Sequence, residues 1–125
     1  VDVRIVLPAN PDHKIVYLCS FAYYDELQQA GIKLYRFRDG FMHQKVVLVD
    51  ETIAGVGTVN LDNRSFHLNF EVMAFMLNGT ALKQVEAMLI EDLEQSDRVD
   101  LSSYQRRSLK FRLAVQTARL MAPLQ

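Results

Sequence analysis

A single cysteine, no tryptophan, three prolines and five glycines are all that 125 residues contain of these types. One cysteine excludes an internal disulfide framework. Cys19, in the apolar stretch 15–21, reads as a small core residue, and its free thiol suits a reducing compartment. Scarce glycine and proline in a chain that is 50% hydrophobic exclude a disordered or low-complexity class and allow one domain, or part of one, with a real core. An excess of charge is lacking as well: 14 basic against 15 acidic side chains leave a net charge of -1. Such a balance supplies no field to gather a nucleic-acid backbone, so nucleic acid is not an expected partner. No apolar run approaches the ~20 residues of a membrane-spanning helix; the longest are 46–49 and 72–77. Metal-site signatures are missing too. His13, His67 and Cys19 fit no H-E-x-x-H or C-x-x-C spacing, and no metal is expected.

What is present is a regular exchange of strand and helix patterns. Residues 1–7 alternate like a strand from the first position, with no methionine and no leading segment, the pattern of a piece of a longer chain. Pro8-Ala9-Asn10-Pro11-Asp12 is turn chemistry, and Asp12 can cap a helix that runs to Ala30 and stops at Gly31. Strands are predicted over 32–37, 42–49, 52–58 and 70–77, with a turn at Arg38-Asp39-Gly40 and a polar loop or helical turn over 61–67. The continuous Val46-Val47-Leu48-Val49 predicts burial on both faces, with helices above and below. Thr80 can cap a helix reaching Gln95, with Leu82, Val85, Leu89 and Leu93 on its apolar stripe. Ser102 or Ser103 opens a last, basic helix over 103–122 that Pro123 closes. The fold class is therefore α/β or α+β.

One constellation carries chemistry. His43-Gln44-Lys45 is followed by Asp50 and by Gly57-Thr58-Val59-Asn60. On a strand His43 and Lys45 share a face and Asp50 takes the other. A tight turn at Asp50 and Glu51 sets Thr58 opposite His43 and Lys45 opposite Val56, and brings Asn60 beside His43. A phosphodiester repels nucleophiles and has a poor leaving group, so its attack needs fixed positive charge, a nucleophile and an acid. His43 can attack as imidazole or donate a proton as imidazolium. Lys45 and the Asn60 amide can hold the non-bridging oxygens. Glu71, at the start of the last predicted strand, is a better carboxylate than Asp50 to fix the imidazole tautomer; Asp50 reads first as a structural residue that satisfies turn amides rather than as a proton carrier. Phe41 and Met42 can meet acyl chains or pack in the core.

His43-x-Lys45-x4-Asp50 with Gly57-Thr58-x-Asn60 and Asn69-Phe70-Glu71 resembles the phospholipase D superfamily. Within it, Phe41-Met42-His43-Gln44-Lys45 and the segment from Val59 to Phe66 resemble the second catalytic half of bacterial cardiolipin synthases. Thr58 stands where the family pattern usually has serine, and keeps the hydroxyl. The resemblance implies a phospholipase D-like mixed sheet flanked by helices, of which residues 1–125 would be a C-terminal half-domain. It implies a site shared with a second His-Lys motif, in a missing amino-terminal half or a homodimer partner. His43, Lys45, Asp50 and Glu71 would be catalytic, and Lys45, Thr58 and Asn60 would bind substrate phosphate. No cofactor or metal is implied. A phosphohistidine intermediate would carry phosphatidyl from one phosphatidylglycerol to another at the bacterial cell membrane, with the other half's histidine attacking and His43 acting as acid and base. A homodimeric phosphodiesterase or nuclease and an inert scaffold fragment are the alternatives.

The last helix adds a surface. Leu109, Leu113 and Leu120 form a narrow stripe bracketed by Arg106, Lys110, Arg112 and Arg119, while Phe111, Val115, Ala118 and Ala122 form a second apolar face. One face can pack on the domain. The stripe with its flanking cations suits an anionic membrane surface or a second protein contact.

Overall fold

The computed structural model of the chain describes residues 1–10, 14–38 and 40–121. In chain order the elements are β1 (Arg4–Pro8), α1 (Lys14–Phe21), α2 (Tyr24–Gln29), β2 (Lys33–Phe37), β3 (Lys45–Val49), β4 (Ile53–Gly57), α3 (Asn63–His67), β5 (Met73–Met76), α4 (Thr80–Glu94), β6 (Ser96–Arg98), a 3-10 turn (Leu101–Tyr104) and α5 (Leu109–Met121). The class is α+β. The strands form two three-stranded sheets, ordered β1-β2-β6 and β3-β4-β5. β1 and β2 run parallel, which demands a crossover, and α1 with α2 provides it. β3, β4 and β5 follow one another as antiparallel neighbours.

Local chemistry explains where the elements depart from sequence pattern. The helix expected to run unbroken to Ala30 divides, because Ala22 N and Tyr23 N bond back only three residues, to Cys19 O at 3.0 Å and Ser20 O at 3.4 Å. That tightened turn redirects the chain. Gly31 ends α2 with a left-handed φ of 71°, as its position predicts. Thr80 is the first residue of α4 rather than its cap, a place taken by Gly79 with φ 91°. The basic terminal segment is also in two pieces. Asp100 Oδ1 accepts from Ser102 N at 3.0 Å and caps the 3-10 turn, and Ser108 Oγ accepts from Phe111 N at 3.3 Å as α5 begins. β6, which pairs with β2 from Phe37↔Ser96 to Tyr35↔Arg98, is too short and polar to show periodicity. The cap expected at Asp12, the turn at Asp39 and the stop at Pro123 lie outside the described residues.

The core belongs to the first sheet. Phe21, Ala22, Tyr24, Leu34, Leu101, Tyr104 and Val115 pack together, with Ile5, Leu7, Val99 and Phe111 against them. α5 lies along α1, and Cys19 donates its thiol to Ala118 O at 3.0 Å. Burial pushes the Cys19 thiol pKa up, so this is a structural cysteine. Arg36 enters the edge of this core with its aliphatic stem. It donates to Pro8 O at 3.1 Å and Ser20 Oγ at 2.7 Å, and its guanidinium lies 4.9 Å from the Tyr17 ring centroid.

The second sheet is covered on one side. α4 packs on β4, where Ala54 and Leu82 are buried, and also touches β2 and β6, which ties the two sheets together. Val47 and Val49, expected to be enclosed on both faces, are 44% and 47% exposed. Among the described residues no helix lies over that face, which an apolar run alone cannot reveal.

Candidate active site

Strand alternation distributes the His43-Gln44-Lys45 motif between the two sides of the second sheet. Gln44 Nε2 donates to the carboxylate of Asp92 on α4, so Gln44 faces the covered side. His43 and Lys45 are its neighbours and fall on the open side. Lys45 folds its ammonium back onto His43 O at 2.7 Å, and the His43 ring stacks on Phe41 with centroids 5.5 Å apart and planes 18° from parallel. Phe41 is exposed, so the core-packing alternative for it does not hold.

The register of this hairpin differs by one residue from the predicted one. Asp50 and Glu51 both adopt left-handed φ, 46° and 55°, and Thr52 donates both its amide and its hydroxyl to Val49 O, at 2.9 and 3.0 Å. Thr52 is thereby consumed by the turn, and the ladder resumes at Val49↔Ile53. Lys45 consequently pairs with Gly57, where the shorter turn pairs it with Val56. Gly57 in turn pairs with Met73 of β5. Glu71, two residues ahead of Met73, comes to the same side of the sheet as Lys45.

Glu71 is the best-held group here. The Thr58 hydroxyl donates to its Oε2, while Ser65 Oγ and Asn69 Nδ2 donate to Oε1 at 2.8 and 3.2 Å. These bonds, from Thr58 first, then Ser65 and Asn69, together with the nearby Lys45 charge, lower the carboxyl pKa from its ordinary 4.5. Glu71 is a fixed anion. The Thr58 hydroxyl spends its one proton on Glu71 and accepts from Val72 N at 3.0 Å. Its amide donates to Val72 O at 2.9 Å, continuing the pairing of β4 with β5. This close approach explains the glycine before it: a Cβ on Gly57 would lie 2.1 Å from Val72 O and 2.5 Å from Met73 Sδ.

Hydrophobic periodicity gives no sign of this role for Ser65 and Asn69. Ser65 is the buried polar residue among those described, and α3 puts it there. Asp62 caps that helix, accepting Ser65 N at 2.7 Å. Arg64 O accepts the amides of Leu68 and Asn69 at 2.9 and 2.8 Å, turning the chain so that Asn69 reaches back to Glu71. The signal available in the sequence was the cap itself, Asp62 three residues ahead of Ser65.

The remaining candidates separate. Asn60 is half-buried, just beyond β4 at the Lys45 end of the hairpin. Asp50 sits at the opposite end of β3, in the exposed left-handed turn. Five residues of strand put it roughly 16 Å from Lys45. His43, Lys45, Asn60, Thr58 and Glu71 gather at one end of the sheet, and Asp50 does not join them. Among the described residues no group of three His, Cys, Asp or Glu side chains is gathered to hold a metal, and no helix is long and apolar enough to cross a membrane.

Comparison with known proteins gives the family of the chain. A family model described as "Cardiolipin synthase, PLD-like domain" matches residues 1–93. The chain is 44% identical over 124 residues to a cardiolipin synthase of Geobacillus sp. (strain WCH70), 41% to cardiolipin synthase 2 of Bacillus anthracis and 44% to cardiolipin synthase A of Pseudomonas fluorescens (strain SBW25). Each alignment takes in 99% of this chain and 25%, 24% and 26% of the relative. The chain thus spans about a quarter of the length of the curated relatives it matches. It belongs to the phospholipase D-like domain family of the cardiolipin synthases.

Proposed function

We propose that the chain supplies one half of a phosphatidyl-transfer site, at which two phosphatidylglycerol molecules give cardiolipin and glycerol at the bacterial cell membrane. The observation that carries this reading is the Glu71 carboxylate, pinned by three donors on the side of the sheet that bears Lys45 and His43. A second His-Lys motif, from another part of the protein or from a partner copy, completes the site. Its histidine nitrogen attacks phosphorus, the bond to the glycerol oxygen breaks, and His43 as imidazolium gives that oxygen its proton. The hydroxyl of the second phosphatidylglycerol then attacks the phosphohistidine and passes its proton to His43, which returns His43 to imidazolium and frees the attacking histidine as imidazole.

Lys45 and Asn60 hold the non-bridging oxygens as charge moves onto them. Oε1 of Glu71 has both lone pairs occupied, but Oε2 has one in use. The spare position suits an imidazole N–H and favours the imidazolium that His43 becomes after taking a proton. Thr58 serves by holding Glu71. The relatives' names, cardiolipin synthases, support the choice of substrate, and the near-neutral charge favours lipid over nucleic acid.

The test is synthase activity of the full-length protein on phosphatidylglycerol vesicles, with DNA as a rival substrate. His43→Ala or Lys45→Ala lowers cardiolipin formation by about a thousandfold without lowering the melting temperature. Retained synthesis in both variants removes these residues from the mechanism, and DNA cleavage with lipid untouched overturns the lipid reading in favour of a phosphodiesterase.

A further inference from the structure

α5 buries one face and leaves the other bare. Val115 and Ala118 are buried and Phe111 packs against the core, whereas Leu109, Leu113 and Leu120 are 80%, 69% and 82% exposed. Spacings of four and seven residues line these leucines up on one side of a helix that contains no acidic residue.

The cations around the stripe sort by partner. Arg106 lies ahead of α5 and is paired with Asp100, and Arg119 turns to Glu26 at 3.0 Å. Arg107 and Arg112 lie over the rings of Phe111 and Tyr104, at 5.5 and 5.9 Å from their centroids. Those two and Lys110 have no carboxylate partner among the described residues. Lys110 and Arg112 stand on opposite flanks of the leucines, with stems long enough to lift their charges while the stripe is covered.

From this arrangement we infer that α5 is a membrane-docking helix, which seats its Leu109–Leu113–Leu120 stripe in the interface of an anionic phospholipid bilayer. Charge complementarity selects the occupant. Uncompensated cations on both sides of an apolar line match phosphate headgroups above an acyl region, and a helix without acids meets no repulsion there. The proposal stands on α5 alone and does not depend on the chemistry at Glu71. Because Val115 and Ala118 fasten the helix to the core, docking needs no rearrangement of the fold.

The full chain carrying Leu113→Cys, with a nitroxide on that cysteine, tests it; Cys19 is buried and escapes labelling. On vesicles containing phosphatidylglycerol the label becomes accessible to oxygen and shielded from a water-soluble nickel complex, while on pure phosphatidylcholine it stays in water. Lys110→Glu combined with Arg112→Glu weakens partition onto the anionic vesicles by about thirtyfold, with an unchanged circular-dichroism melt. The proposal is overturned if the label remains equally water-exposed on anionic vesicles. Shielding without lipid, in a chain that sediments as a dimer, also overturns it and assigns the stripe to a second copy.

Discussion

The two sheets of this molecule solve different problems. The β1-β2-β6 sheet is enclosed by aromatic and aliphatic side chains from α1, α2, the 3-10 turn and α5, and its central residue Leu34 is 1% exposed. The β3-β4-β5 sheet has one helix-covered face and one open face, and its end carries a polar network around Glu71. Burial stabilises the first, and precise backbone approach organises the second. The buried core and the proposed site therefore lie on separate sheets joined by α4, so damage to one should be readable apart from damage to the other.

The sharpest challenge to that division is Leu34→Ala. It is expected to cost about 3 kcal/mol in urea unfolding, from lost burial and the cavity left between Ile5 and the helices. A cost under about 1 kcal/mol would mean the first sheet is not the stabilising half. Gly57→Ala comes next. Its methyl group has no room beside Val72 O, so β5 must move, with an expected loss of about 2 kcal/mol and a fall in activity larger than that of any equally destabilised core variant. Equal ratios of activity to stability loss in both variants would erase the distinction between the sheets.

The smallest effect concerns pH. Because the folded pKa of Glu71 is lowered, its contribution to stability is complete above the ordinary value of 4.5 and is lost as pH falls through the lower folded value. Thr58→Val removes the first of the bonds that lower it. The acid limb of both activity and urea stability should then begin at higher pH than in the unaltered chain, while stability near neutrality changes little. Titration of the two proteins side by side decides the matter, and superimposed acid limbs would mean that Thr58 does not hold Glu71 as an anion.

Much of this was legible before folding was considered. The strand cores, the helix stop at Gly31 and the partition of the terminal helix into a packed and a leucine face all follow from periodicity and residue chemistry. The hairpin register did not, since it depends on Asp50 and Glu51 both taking left-handed φ and on Thr52 closing the turn. Nor did the company of Glu71: Ser65 and Asn69 reach it through a capped turn of helix and a bend, geometry that no periodic pattern encodes. The enclosure predicted for Val47 and Val49 failed because a run of apolar residues records a preference for burial but not its partner.

By itself the sequence determined the α+β class, the separate faces of the last helix and the residue types available for attack on a phosphodiester. These are local properties, set by side-chain period and functional group. Tertiary structure alone decided that Asp50 stands at the far end of its strand from Lys45, that Thr58 serves Glu71, and that one sheet is enclosed while the other stays open. Those outcomes turn on a one-residue ladder shift and on contacts between distant segments, where small changes of backbone geometry move whole side chains from one face to the other.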